Sequence, residues 1–143
     1  MKYGITEGTL KKEGIGLLKT GKRIGFEGVE PVVFWGYERS ALWDMEKVKE
    51  MKKVSKSEGI EIPSICVGIF NETGGFLSEE EKIVKKAEDV MNRVIEVGKY
   101  LEIKVILLSC FFKASLENEE RRKRFAERIY KFLPEIQNGN IYL

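Results

Sequence analysis

A phrase made of a helix end, a turn residue and an apolar strand recurs along the chain, and it constrains the fold more than any other feature. It reads Ile24-Gly25-Phe26-Glu27-Gly28-Val29, then Glu58-Gly59-Ile60-Glu61-Ile62, Leu101-Glu102-Ile103-Lys104-Val105 and Asn138-Gly139-Asn140-Ile141. The turn positions 25, 59, 102 and 139 lie 34, 43 and 37 residues apart. Steps of this length hold one helix, one tight turn and one parallel strand. Glycine at the second position ends a helix in a left-handed cap at little steric cost, and Glu102 replaces it in the third phrase. The chain therefore reads as an α/β protein of parallel-stranded repeats.

Runs rich in β-branched and apolar residues place strands at Tyr3–Thr6, Val29–Trp35, Ile62–Ile69 and Val105–Cys110, with another beginning at Ile141–Leu143. Pro31 stands inside the second run although it lacks the N–H of an internal strand, which predicts a bulge or an edge there. Helical periodicity fills the gaps. One helix starts at Asp44, turns Val48, Met51 and Val54 inward and stops at Gly59. Another opens on Ser78-Glu79-Glu80-Glu81, which has the pattern of a capping box, and lines up Ile83, Ala87, Val90, Met91, Val94 and Leu101. A further helix spans Asn118 to about Leu133. The stretch Thr9–Ile24 is the weakest helix, because Gly14, Gly16 and Gly21 each cost about 1 kcal/mol relative to alanine.

Two architectures accept such units within a single domain spanning residues 1–143. A small doubly wound, flavodoxin-like sheet fits the length outright, whereas a closed eight-unit barrel at this spacing needs about twice as many residues. Strand order separates them: consecutive neighbours for part of a barrel, 2-1-3-4 for the doubly wound sheet.

Composition then removes whole classes of chemistry. The chain has no histidine, so Ser-His-Asp and Cys-His nucleophile systems and imidazole metal ligands are excluded. Its 25 basic and 23 acidic residues leave a net charge of +2, which implies no strong electrostatic partner. Cys66 and Cys110 form no C-x-x-C pair and point to a reduced, cytoplasmic setting, while no apolar run is long enough for a signal peptide or a membrane span. Gly16–Lys22 spells G-x-x-x-x-G-K, but Arg23 replaces the Ser or Thr of a phosphate-binding loop and no buried strand precedes it. Arg121–Arg124 could suggest a nucleic-acid patch. Glu117, Glu119 and Glu120 four residues ahead of Arg121, Lys123 and Arg124 make a solvated helix face the better reading.

The phrases Lys2-Tyr3-Gly4-Ile5, Ile24-Gly25-Phe26-Glu27-Gly28-Val29-Glu30, Ile62-Pro63-Ser64-Ile65-Cys66 and Leu101-Glu102-Ile103-Lys104-Val105-Ile106 resemble, in order and spacing, the first half of the xylose-isomerase-like barrel family. That family contains sugar and sugar-phosphate isomerases and ketose 3-epimerases. The resemblance implies about half of a TIM barrel. It also implies, in complete members, a divalent ion such as manganese, cobalt or magnesium, held by Glu, Asp, His and Glu at strand ends of the second half. The chain enters strand five at Ile141–Leu143 and has no counterpart of that ligand set. It is therefore expected to bind no metal and to be inactive alone, as a truncated or partial relative. The open edges of half a barrel imply self-association or a complementary C-terminal chain. The competing reading is a non-catalytic α/β binding or assembly module.

Barrel enzymes work at the carboxyl ends of their strands. The resemblance places Thr6, Trp35, Cys66, Ser109 and Phe111 there as the residues facing a sugar or sugar phosphate. Other roles compete with this one. Cys66 reads first as a small buried hydrophobe, and Trp35 and Phe111 serve a core as readily as a pocket. Glu7 and Glu30 carry no sign of a matched acid/base pair, so no catalytic residue is assigned. The loop Asn71–Gly75 is a flap over a sugar or, more simply, a connection.

Overall fold

Strand alternation determines which side chains meet the helices in the computed structural model, which describes residues 2–143. The elements run β1 (Gly4–Thr6), α1 (Glu7–Leu10), α2 (Gly14–Arg23), β2 (Gly28–Glu30), β3 (Val32–Val33), α3 (Met45–Glu58), β4 (Ser64–Val67), α4 (Phe70–Thr73), α5 (Glu81–Leu101), β5 (Val105–Leu108), α6 (Glu119–Ile129) and α7 (Leu133–Asn138). Ile65, Val67 and Ile106 on β4 and β5 share one core with Leu17 and Leu18 of α2, Val48 and Met51 of α3, and Val90, Met91 and Val94 of α5. Their alternate neighbours, among them Ser64, Cys66 and Leu107, point to the opposite face.

All strand pairs are parallel: β1 with β2, β3 with β4, and β4 with β5. Bridges from Gly28 to Glu61 and from Val105 to Tyr142 extend the sheet, the latter at the fifth stave that the sequence predicts. Neighbours in space are thus neighbours in sequence. This is the order of part of a barrel, and the doubly wound alternative is set aside.

Pro31 divides the second stave into β2 and β3, as its missing N–H predicts. Its carbonyl still accepts from the Cys66 N–H at 2.9 Å, which keeps the β4 side intact. On the β1 side the chain has already turned into α1, so no backbone carbonyl reaches Val32. The Glu7 carboxylate takes that place, accepting from the Val32 N–H at 3.0 Å. Burial raises the Glu7 carboxyl above the ordinary glutamate value, although the Val32 hydrogen bond pulls the other way.

The helix ends follow the sequence in part. Asp44 caps α3 by accepting from the N–H groups of Glu46 and Lys47, and Gly59 ends it at φ 61°. Glu102 does take the left-handed cap at φ 63°, with Lys52 3.1 Å from its carboxylate. The fourth phrase differs. Asn140 carries the left-handed conformation at φ 51°, whereas Gly139 stays right-handed at φ −84°. Space is tight at 139, since a Cβ there would lie 3.0 Å from Lys99 Cγ and 3.1 Å from Ile141 Cδ1, so either side chain would have to shift.

The expected capping box at Ser78 does not form, and α5 begins three residues later. The Ser78 hydroxyl accepts from the Glu80 N–H, and Arg128 binds the Ser78 carbonyl, so the residue is held outside the helix. Thr9–Ile24 is two helices parted by Lys11 at φ 50°. The last expected helix, Asn118–Leu133, gives way at Ile129 to a 3-10 turn and then α7, where Pro134 needs no N–H partner in the first turn.

Gly21 of α2 sits directly on β2: a Cβ there would be 2.6 Å from Val29 Cγ1, while one at Gly16 would meet nothing within 4 Å. Gly16→Ala should raise stability by up to about 1 kcal/mol through helix propensity. Gly21→Ala should lower it by about 1–3 kcal/mol through overpacking, and thermal unfolding of the pair checks both signs. At Glu7, the preference of the folded chain for the neutral acid stabilises it fully below the unfolded value of 4.5 and is lost as pH rises through the raised folded value. Glu7→Gln, which keeps an acceptor for Val32, should therefore melt higher than the parent at neutral pH, with the gap closing below pH 4.5. Glu7→Ala should lose about 1–3 kcal/mol across the range, because the Val32 N–H is left without its acceptor.

Candidate functional site at the carboxyl ends of the strands

Because every strand runs the same way, their carboxyl ends collect on one rim. Thr6 and Glu30 lie opposite each other in the β1–β2 register. The Glu30 carboxylate accepts from the Ser64 hydroxyl, and the Cys66 thiol is 3.4 Å from the Ser109 hydroxyl. Cys66 is paired in register with Val32 on one side and Leu107 on the other. A file of small polar groups (Thr6, Glu30, Ser64, Cys66, Ser109) thus crosses the face that the helices leave open.

Aromatic rings flank this file. Phe34 lies over Gly68, where a Cβ would come within 3.1 Å of its ring. Trp35 is 71% exposed and borders a groove of about 250 Å³ with Tyr37, Ile69, Phe70, Ile83 and Val90. It also borders a second cavity with Glu7, Glu13 and Arg39. Phe111, 65% exposed, donates its N–H to the Asn71 side chain at 2.8 Å. The structure therefore brings Cys66 into contact with Ser109 and sets Thr6 beside Glu30. Trp35 stands between two cavities whose linings include neither Cys66 nor Ser109.

The electrostatics of this face are set by burial and local hydrogen bonds. Burial raises the Cys66 thiol, and the Ser109 hydrogen bond only partly offsets it, so the sulfur is a neutral contact at physiological pH. Glu7 and Glu30 each spend an oxygen on a neighbour, Val32 and Ser64 respectively. Among the described residues no group of three or more His, Cys, Asp or Glu side chains could hold a metal ion. The residues present do not fit the divalent ion of complete relatives.

Other sequence features have plain structural explanations. Gly16–Lys22 lies inside α2 and forms no phosphate loop. The stretch 71–75 is a packed connection: Gly74 and Gly75 are buried and Asn71 is tied to Phe111. Arg124 pairs with Glu120 at 2.8 Å as the spacing predicts. Arg121 instead binds the carbonyls of Ser115 and Lys113, so the basic run braces the loop beneath it. No helix among the described residues is long and apolar enough to cross a membrane. Sequence reasoning missed Ser64, although two-residue alternation back from Cys66 would have found it. It also missed Phe112, an 82% exposed ring at φ 46°, which no sequence signal announces.

The same succession of parallel strands and helices is found within part of known proteins. A search of curated protein sequences gave no match. Among solved structures, a D-psicose 3-epimerase determined in the presence of D-fructose superimposes with a TM-score of 0.76 at 16% identity, over 100% of this chain and 51% of that one. A D-psicose 3-epimerase with D-tagatose from Clostridium cellulolyticum gives 0.71 at 16% identity, over 99% and 50%. A D-allulose 3-epimerase from Methylomonas sp. in complex with D-allulose gives 0.69 at 14%, over 99% and 49%. The chain spans about half the length of these structures, and at such identities the likeness is one of fold. The profile of the family described as xylose isomerase-like TIM barrel matches residues 18–143. With consecutive parallel strands, an open face and a match along nearly its whole length, the chain belongs to the xylose isomerase-like TIM barrel family.

Proposed function

We propose that the chain is one wall of the sugar cavity of an isomerase- or epimerase-type barrel, with Thr6, Trp35, Cys66, Ser109 and Phe111 turned toward a sugar or sugar phosphate. The observation that carries this reading is the polar file that crosses the uncovered sheet face from Thr6 at the carboxyl end of β1, through Ser64 at the amino end of β4, to Ser109 just past the carboxyl end of β5, flanked by exposed rings. Hydroxyl and thiol groups suit hydrogen bonds to a polyol, and aromatic faces suit its C–H edges. The ketoses named with the matched structures support a ketose as the class of ligand. Two free cysteines, Cys66 and Cys110, support a reducing cytoplasmic setting.

Proton transfer next to a carbonyl needs a positioned base and an electrophile that stabilises the developing charge. Glu7 is committed to Val32 and Glu30 to Ser64, and no described cluster fits a metal. On this reading the manganese, cobalt or magnesium ion and its carboxylates lie in the half of the barrel that this chain does not span, and the chain alone is inactive.

The purified chain should give no epimerisation of ketohexoses at C3 with manganese, cobalt or magnesium added; metal-dependent turnover would refute its inactivity. Titration with D-fructose, D-tagatose and D-allulose, followed by NMR, should shift the Trp35 indole and the Cys66, Ser109 and Phe111 amides. A response confined to the helix face, or none at any of these positions, would refute the sugar-wall assignment.

A further inference from the structure

We infer that the groove between the turn 35–38 and helix α5 binds a free amino acid with a large apolar side chain, its ammonium at Glu38 and its carboxylate at Lys86. The inference rests on this groove and not on the sugar reading. Every residue lining the groove lies between Trp35 and Val90. It is built from segments that follow the second and third staves, each of which has a parallel neighbour on both sides. Its floor and walls are apolar and fixed. Phe70, Ala87 and Val90 are buried, and Phe70 meets Phe76 edge-on with ring centres 5.3 Å apart. Tyr37 leans on Trp43, with ring centres 4.7 Å apart. Gly36 takes the left-handed conformation at φ 75° between Tyr37 and the exposed Trp35. Ile83, Ala87 and Val90 stand four and three residues apart on α5, so one helix face runs along the groove with Lys86 beside it.

Size and charge then select the ligand. The groove holds about 250 Å³. A cavity of roughly 150 Å³ accepts benzene, so there is room for one ring or a branched aliphatic chain with a short polar head at the mouth. Glu38 lines one wall and Lys86 the other, and among the described residues neither forms an ion pair. Burial, and after it the carboxylates of Glu38 and Asp89, raise the Tyr37 phenol, so a neutral hydroxyl and two acids collect on the Glu38 side. The Thr73 hydroxyl donates to the Ile69 carbonyl and accepts from the Gly75 N–H, and is spent within the fold. One acid and one base across an apolar cleft match a zwitterion. A simple anion would meet Glu38 and a simple cation would meet Lys86. A polyol would bury its hydroxyls against a floor that offers them no hydrogen bond.

Titration of the purified chain with L-phenylalanine, followed by NMR, should shift the Ile83 and Val90 methyl groups and the Trp35 indole at millimolar concentrations. 3-Phenylpropionate, which lacks the ammonium, and phenethylamine, which lacks the carboxylate, should each bind about tenfold more weakly. Glu38→Gln and Lys86→Gln should each weaken L-phenylalanine by about tenfold, the first without weakening 3-phenylpropionate and the second without weakening phenethylamine. Lys82→Gln, on α5 but outside the groove, should change nothing. All three substituted positions are exposed, so the fold is kept. L-Phenylalanine that shifts none of these groups, that binds no better than its two singly charged analogues, or that is indifferent to both groove substitutions would overturn the inference. None of these results touches the sugar wall, which answers separately to D-fructose at the Cys66 and Ser109 amides.

Discussion

The rest of the structure depends on a sheet that is anchored from one side only. Ile65, Val67 and Ile106 are wholly buried beneath the helices, and these alternate positions fix the register of the two central staves. A slip of one residue would turn Ser64 and Cys66 into the core and Ile65 out of it, exchanging apolar burial for unpaired polar groups. The polar file of the open face is therefore set by the core behind it. Its groups stand where they do because their neighbours cannot leave the helices.

The bend at Pro31 shows the same coupling between backbone and site. A residue without an N–H interrupts the second stave, and the first stave ends at Thr6, opposite Glu30 and one residue short of the register of Pro31. The backbone donor of Val32 is then met by a side chain, Glu7, at the rim where chemistry would be expected. A carboxylate at a strand end can thus be a structural strut. Its raised pKa reflects burial, which by itself does not make a general base.

Much of the fold was legible because it is written in local rules. The recurring phrases located the turns, Asp44 and Gly59 bounded α3, and even Glu102 was read correctly as a stand-in for glycine. The failures occurred where distant packing outweighed local preference. Ser78 has the sequence of a cap, but Arg128 and the buried turn at Phe76 and Leu77 hold it away from the helix. Gly21 looked like a weakness in α2 until the approach of Val29 explained it, and at Gly139 the constraint is the tight approach of Lys99 and Ile141, its own dihedrals being right-handed. At the rim, the family resemblance set Cys66 and Ser109 at strand ends, but nothing local announced that they would touch, or that Glu30 would meet Ser64, 34 positions away.

Sequential strand order also bears on how the chain reaches this state. The pairings Gly4–Gly28, Val32–Cys66 and Ser64–Val105 close loops of similar size, and none joins the two ends of the chain. Loop-closure entropy changes by only about 0.6 kcal/mol for each doubling of length, so the staves carry nearly equal entropic costs. Each can dock on its predecessor as soon as its own helix is available, and assembly becomes a succession of similar small barriers instead of one late, chain-spanning event.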